Sequence, residues 1–391
     1  MDTTDTSSFK TKPSVERHVD LAIAGGGLAG LTLAIQAANA GLQVDLFEKE
    51  RYPFHRVCGE YISMESYPFL ESLGLPLGEM QLPRIKKLIV SAPNGKKIAQ
   101  DLPLGGFGIS RHLLDYRLSV IAKSRGVQVW EDTRVNDIHF DKNQFHIAST
   151  AGDLSATAVA GTFGKRSNLD IKWQRNFTRE KPNALNNYLG VKYHVVADFP
   201  YDTIALHNFE NGYCGISAVE ENKYCLCYLT TAENLRRNNN SIKEMEKNVL
   251  FQNPYLRQIF TNARFERSEP VTISQISFGK KNLIHDHILM IGDAAGMITP
   301  LCGNGMSMAM HGSKLAAMLL VSFINGKISR DEMEQQYSHS WNEQFASRLK
   351  TGRIIQSLFG KPAVTNIFLA AMKPFPSMIS RLIKATHGEP F

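Results

Sequence analysis

Cysteine, tryptophan and acidic charge are scarce in this sequence, and each shortage excludes something. Five cysteines (Cys58, Cys214, Cys225, Cys227 and Cys302) are an odd number. They follow no zinc-ligand spacing and no secretory apolar segment, so neither a disulfide framework nor a metal site is expected, and a reduced cytoplasmic setting is. The longest apolar run, LAAMLLVSFI at 315–324, is shorter than the roughly 20 residues that span a bilayer and has the pattern of a core helix. Lys plus Arg number 44 against 37 for Asp plus Glu, which leaves a formal charge of +7. That excess is too mild and scattered for nucleic acid, but it suits an anionic cofactor or an anionic membrane surface. What the chain does have is bulk: 391 residues, 43% hydrophobic and 21% charged, enough for a large core divided between two domains.

The opening MDTTDTSSFKTKPSV is polar and expected to fray. Order begins with HVDLAIAGGGLAGLTLAIQAANAGLQVDLFEKE, where an apolar strand runs into Gly25-x-Gly27-x-x-Gly30. A helix follows to Ala40, Gly41 ends it, and a second strand leads to Glu48 and Lys49. Such a βαβ unit holds a dinucleotide: Gly25 makes the tight turn, Gly27 lets a diphosphate approach, and Gly30 packs helix on strand. Glu48 stands 23 residues beyond Gly25, near the spacing at which a carboxylate meets the adenosine ribose.

Far downstream, NLIHDHILMIGDAAGMITPLCGNGMSMAMHGSKLAAMLL (282–320) carries an apolar strand to Asp293, then Pro300, then Gly303-Asn304-Gly305-Met306 opening a long helix. GDAAGxxxPxxGxG resembles the second FAD fingerprint of the flavoprotein monooxygenase and geranylgeranyl reductase superfamily, with its para-hydroxybenzoate hydroxylase-like fold. The resemblance implies noncovalent FAD, with Asp293 on the ribityl chain and the helix N-terminus facing the isoalloxazine. A helix N-terminus suits the negative charge of reduced flavin. ISRHLLDYRL resembles the superfamily's S-R-x-x-L-D-x-x-L helix, followed by an antiparallel strand, and places Arg111 near FAD. ATAVAGTFGKRS (156–167) stands where relatives carry G-A-D-G-x-x-S, but Phe163 occupies the position of the acid. That departure puts rapid hydroxylation driven by NAD(P)H in doubt and leaves the electron donor, NAD(P)H or another reductant, open.

The stretches LGVKYHVV, DTIALHNF, GYCGISAV and KYCLCYLT read as an antiparallel sheet, with a hairpin at 83–103 turning at Pro93-Asn94-Gly95. Cys225 and Cys227 share one face of a strand and read as core. From Arg353, apolar residues mix with Lys and Arg and are broken by Pro362, Pro374 and Pro376. This segment is expected to pack on the FAD domain, to cap the active site, or to lie on a membrane. The fold class is an α/β FAD-binding, Rossmann-like domain with an inserted antiparallel substrate sheet and a helical C-terminus. The expected boundaries are 17–84, 104–168 and 281–345 for the FAD domain, 85–103 and 169–280 for the sheet, and 346–391 for the cap.

HRVCGEYIS (55–63) resembles the P-x-x-x-x-C-G stretch of geranylgeranyl reductases, which implies that Cys58 and Gly59 wall the isoalloxazine and that Arg56 nears the diphosphate. Glu60, His55 and Tyr213 are the candidate acid–base groups, and Cys58, Glu60 and Tyr213 the candidate catalytic residues. Metal binding is disfavoured. His55, Cys58 and Cys302 are the positions at which a covalent flavin link would be conceivable. The resemblance implies an FAD-dependent oxidoreductase of a hydrophobic small molecule. A monooxygenase acting through a flavin C4a-hydroperoxide on an aromatic, polyketide or polyene substrate comes first, and a reductase passing hydride from flavin N5 to a C=C bond second. A flavin carrier without turnover ranks last. Halogenation is disfavoured, since the tryptophan-rich, lysine-bearing halogenase signature is missing.

Overall fold

A computed structural model describes residues 17–180, 187–299, 303–358 and 361–391. The expected N-terminal fraying, Pro300 and Cys302 fall outside these residues.

Two sheets organise the chain. In the first, strand Arg17–Ala24 lies between Val44–Phe47 and Gly152–Gly161, parallel to both. Ile288–Met290 extends the parallel set on one side, and Gln128–Trp130 on the other. The strand after the Arg111–Ser124 helix is therefore parallel, not antiparallel as expected; the antiparallel hairpin Val135–Asp141/Gln144–Ser149 comes next and joins Gly152–Gly161. Helices cover the parallel strands, and all four of Val44–Phe47 are buried, Asp45 among them paired with Arg17 at 2.7 Å. Helix Leu28–Asn39 packs along helix Gly305–Ile324, where Thr32 and Ser313 hydroxyls meet at 2.7 Å in the core. Gly305–Ile324 is long and apolar enough to cross a membrane, but half of its most apolar window is buried in the fold.

Among the described residues the second sheet has nine strands. Tyr188–Val196, Tyr224–Thr231, Gly212–Ala218 and Thr203–Phe209 run antiparallel in that order. A parallel junction then links Thr203–Phe209 to Arg84–Ser91, which pairs with Lys97–Gly108. The expected turn closes this hairpin: Gly95 takes φ +83°, and Ala92 N–H donates to Lys96 O at 2.8 Å. This sheet reaches further than 85–103 and 169–280, since Tyr61–Ser63 and the whole of Lys97–Gly108 belong to it. One face is sealed by Met245, Leu250 and Leu256. Helix Arg330–Leu358 runs straight through the expected boundary at 346, and Pro362–Met372 and Pro376–Thr386 follow as two shorter helices. No proline interrupts 330–358.

Candidate FAD and substrate site

The two sheets and the C-terminal helices enclose one cavity of about 1180 Å³. Small-molecule sites commonly measure roughly 300–1,000 Å³, so this one has room for a large cofactor and a second molecule. Gly25, Gly27, Glu48 and Lys49 line it, as do Arg56, Cys58, Gly59, Glu60, Arg111 and Tyr213. Asp293, Gly303, Asn304, Gly305 and Met306 line the same cavity, so the described site residues of both fingerprints and of HRVCGEYIS converge on one space. Gly30 does not line it; a Cβ there would stand 2.0 Å from Gly25 O and 2.7 Å from Thr162 Oγ1, which makes Gly30 the helix-to-strand contact.

Gly25 has φ +115°, and a Cβ would meet Thr162 O at 2.6 Å. Gly27 caps helix Leu28–Asn39 without a side-chain hydrogen bond, leaving the first N–H groups of that helix turned to the cavity end. Glu48, 3% exposed, accepts from Gly26 N–H at 2.9 Å and from Arg56 at 2.8 Å. Arg56 also reaches Asp115 at 3.3 Å, and Arg111 grips the same carboxylate through two 2.7 Å bonds. Despite burial, Asp115 holds Arg111 charged, with its pKa raised. Lys49 sits on the rim, 3.7 Å from Glu50.

Asp293 lies at the other side of the cavity, at the end of strand Ile288–Met290. Burial pushes its carboxyl up, against the pull of Lys281, Arg111 and Lys165. Its turn is pinned from behind: Lys281 donates to Asp293 O at 2.6 Å, and buried Arg175 donates to Ala294 O at 3.0 Å while pairing with Asp170 at 2.7 Å. Phe163 lines the cavity wall, edge-on to Trp173.

The wall segment 55–60 is fastened to the second sheet by an ion-paired knot. Glu60 is fully buried at φ +56°, a backbone region that non-glycine residues seldom occupy. Its carboxylate accepts from Lys192, from Arg111 N–H at 2.7 Å and from His194 at 2.6 Å. Burial alone would raise its pKa, but Lys192 and His194 together hold it at about 2. Glu60 is therefore held as a carboxylate, unsuited to giving up a proton. It positions the loop, as do Lys192 on Arg56 O at 3.1 Å, Ser217 on Gly59 O at 3.1 Å and Cys225 on Cys58 O at 3.1 Å. His55 is pushed down to about 4, by burial first and then by Arg267 and Lys192, so it too is a poor acid. Cys58 donates to Met306 Sδ at 3.5 Å, and burial pushes its thiol up. Tyr213 is buried in the wall.

Lys192 and His194 were missed in the sequence. Their signal was present: two basic residues at i and i+2 in the apolar LGVKYHVV share one strand face, and a buried charge calls for a partner. Glu60, His194 and Cys225 offer ligand atoms within 4.8 Å of one another. The Lys192 ammonium sits on the same Glu60 carboxylate.

An unoccluded glycine at a helix N-terminus, a buried carboxylate at the end of the second strand, and a second glycine-rich helix start across one cavity fit an adenine dinucleotide that carries a redox ring. Residues 18–348 match the family described as FAD binding domain. The chain belongs to this FAD-binding family. It is an FAD-dependent oxidoreductase, as the family's reductases and monooxygenases are. Conditioned medium factor receptor 1 of Dictyostelium discoideum is 26% identical over 84% of this chain and 68% of its own. A digeranylgeranylglycerophospholipid reductase of Methanococcus vannielii is 23% identical over 88% of each. Among solved structures, a geranylgeranyl bacteriochlorophyll reductase-like protein of Thermoplasma acidophilum superposes with a TM-score of 0.75 at 17% identity, covering 96% of this chain and 97% of that one. A flavin-dependent brominase superposes equally well, at 0.75 and 17% identity over 94% and 93%. At such identities these structures establish the fold shared by the family, not a reaction.

Gly59 supplies a test of the wall. A Cβ at Gly59 meets nothing within 4 Å, so Gly59→Ala is expected to leave thermal stability unchanged. If this backbone faces the isoalloxazine, the variant shifts the flavin absorbance bands and slows turnover while FAD stays bound, and Cys58→Ala does the same. Spectra and turnover identical to the wild type in both variants would remove the segment from the ring.

Proposed function

We propose that this enzyme is a monooxygenase that inserts an oxygen atom into an apolar aromatic, polyketide or polyene molecule. The observation that supports it is the continuity of the cofactor cradle with an apolar chamber lined by Leu88, Val90, Leu206, Phe368, Leu369 and Leu382. Reduced FAD supplies the reaction with oxygen. The protein's part is to exclude bulk water and hold the substrate over the ring. Gly25, Gly27, Glu48, Arg56 and Arg111 would hold the adenosine diphosphate half, and Asp293 with the Gly303–Met306 helix start the ribityl and ring half. FAD is held noncovalently in this reading, and acid precipitation is expected to release it into the supernatant.

Reduction of a C=C bond is the second reading, favoured by the full-length similarity to a digeranylgeranylglycerophospholipid reductase. It needs a group that protonates carbon; Glu60 and His55 are unsuited to that, whereas the cavity-lining Cys58 thiol, pushed up by burial, keeps its proton. One experiment separates the two. The enzyme is reduced without air by dithionite or NADPH, mixed with apolar aromatic or polyene compounds, and exposed to isotopically heavy oxygen. A product carrying one heavy oxygen atom is the expected result; a product gaining two hydrogens before oxygen is admitted would overturn the proposal.

A further inference from the structure

We propose that the two C-terminal helices, Pro362–Met372 and Pro376–Thr386, dock the enzyme on an anionic phospholipid bilayer, with the cavity roof as the contact surface. Both helices are two-sided. Their inner faces carry Phe368, Leu369, Met372, Ile379, Leu382 and Ile383 into the cavity lining. Val364, Ile367 and Met378 on the helices and Phe375 in the link between them are exposed by 37, 70, 51 and 53%. A helix pair that only roofed a cavity would turn polar residues outward, since its apolar area is already buried on the other side. Large side chains this exposed, gathered on one pair of helices, mark a surface that meets something apolar.

Charge identifies the partner. From residue 345 to 391 the sequence holds seven basic residues (Arg348, Lys350, Arg353, Lys361, Lys373, Arg381 and Lys384) and one acid, Glu389. Of these, Arg348 is 14% exposed and paired with Glu65, so it adds nothing to the outer face. Lys361, Lys373, Arg381 and Lys384 are exposed, interleaved with the exposed apolar residues. The link between the helices, Lys373-Pro374-Phe375-Pro376, puts a bare aromatic ring beside an ammonium group at a tight tip, where Phe375 N–H donates to Met372 O at 2.9 Å. Leu104, 39% exposed, lies on the strand Lys97–Gly108 that Pro376–Thr386 packs against, and continues the apolar surface toward the sheet. Apolar side chains that sink below the headgroups, and basic ones that stay at their level, are what an interfacial helix needs. A second copy of the chain would oppose two strongly positive faces, so self-association is disfavoured. The inference takes from the proposed function only that the cavity accepts an apolar molecule, and it holds for either chemistry: a substrate dissolved in the bilayer would enter through the roof that touches it.

The test uses the FAD-loaded protein and flotation with phosphatidylcholine vesicles, with or without phosphatidylglycerol. The expected result is cofloatation with the phosphatidylglycerol vesicles, weakened by added salt, and little with phosphatidylcholine alone. Each basic residue at an anionic surface is worth about fivefold in binding, so Lys361→Glu/Lys373→Glu/Lys384→Glu is expected to weaken it on the order of a hundredfold or more. Ile367→Ser/Phe375→Ser/Met378→Ser is expected to abolish it. Both variants alter exposed side chains outside the cavity lining, so flavin absorbance and turnover of a detergent-dispersed substrate stay as in the wild type and separate this inference from the reaction. Wild-type protein that stays with the unfloated fraction, or a serine variant that floats as well as the wild type, would overturn it. So would concentration-dependent dimers that the serine substitutions dissolve, since the face would then belong to a second copy.

Discussion

Lys192→Met is expected to destabilise the fold by about 3–5 kcal/mol, the cost of leaving a buried carboxylate without its cation. Lys192 is 1% exposed and Glu60 not at all, and the pair joins the second sheet to the loop that walls the cavity. Methionine matches the length of the stem, so packing is nearly kept and the loss isolates the charge. Lys192→Met/Glu60→Gln is expected to recover more than half of it, because a neutral amide still accepts from Arg111 N–H and no ion is stranded. Urea melts monitored by tryptophan fluorescence read this directly, and equal losses in the single and double variants would show that shape matters here rather than charge. The pH dependence has a definite sign. Glu60 titrates near 2 in the fold against an ordinary value of 4.5, so its contribution is complete above about pH 4.5 and fades as pH falls toward 2. His55, pushed down from 6.5 to about 4, adds a second loss on acidification, across pH 6.5 to 4, because the unfolded chain takes up the proton first. Wild-type protein is therefore expected to weaken in two acid steps, and Lys192→Met/Glu60→Gln to lose the lower one.

The residues that touch the cavity were largely legible because the chain writes them as short motifs. GGGLAG, GDAAG, GNG and CGE each fix a local backbone shape, and a shape of that kind needs no distant partner to be recognised. The setting of Glu60 was hidden for the converse reason. Its partners Lys192 and His194 stand 132 and 134 positions away and meet it only when the second sheet folds against the loop. Its left-handed backbone at φ +56° left no mark in the sequence either, since glutamate rarely takes it. The extent of the second sheet was underestimated at Tyr61–Ser63, a strand of three residues too short to show an alternation. The parallel setting of Gln128–Trp130 is likewise decided by its neighbour Val44–Phe47 rather than by its own residues. Helix Arg330–Leu358, which contains no proline, runs across 346, where the C-terminal cap was expected to begin, and Thr299 Oγ1 donates to the carbonyl of Gly352 within it at 3.1 Å.

Gly25→Ala and Gly27→Ala are expected to fail in different ways, and the difference tests the cofactor cradle. At Gly25 the backbone takes φ +115° and a Cβ would press on Thr162 O at 2.6 Å and Phe163 Cα at 2.7 Å. Neither neighbour is a side chain that can swing aside, so Gly25→Ala is expected to cost more than about 2 kcal/mol in the protein without FAD. At Gly27 the backbone is extended, and a Cβ meets only Arg111 Nη2 at an ordinary 3.8 Å. The protein alone therefore gives no reason for glycine there, and Gly27→Ala is expected to keep the stability of the FAD-free form within about 0.5 kcal/mol. What the alanine removes is the room through which a diphosphate reaches the first N–H groups of helix Leu28–Asn39, and with it the pairing of a full negative charge with the helix dipole. FAD affinity in Gly27→Ala is expected to fall at least about tenfold, the equivalent of about 1.4 kcal/mol. Fluorescence titration of FAD-free protein with FAD, alongside thermal melts of the same samples, measures both quantities. An alanine at 27 that binds FAD as the wild type does would move the diphosphate away from this helix. An alanine at 27 that unfolds the FAD-free protein would make Gly27 a packing residue instead.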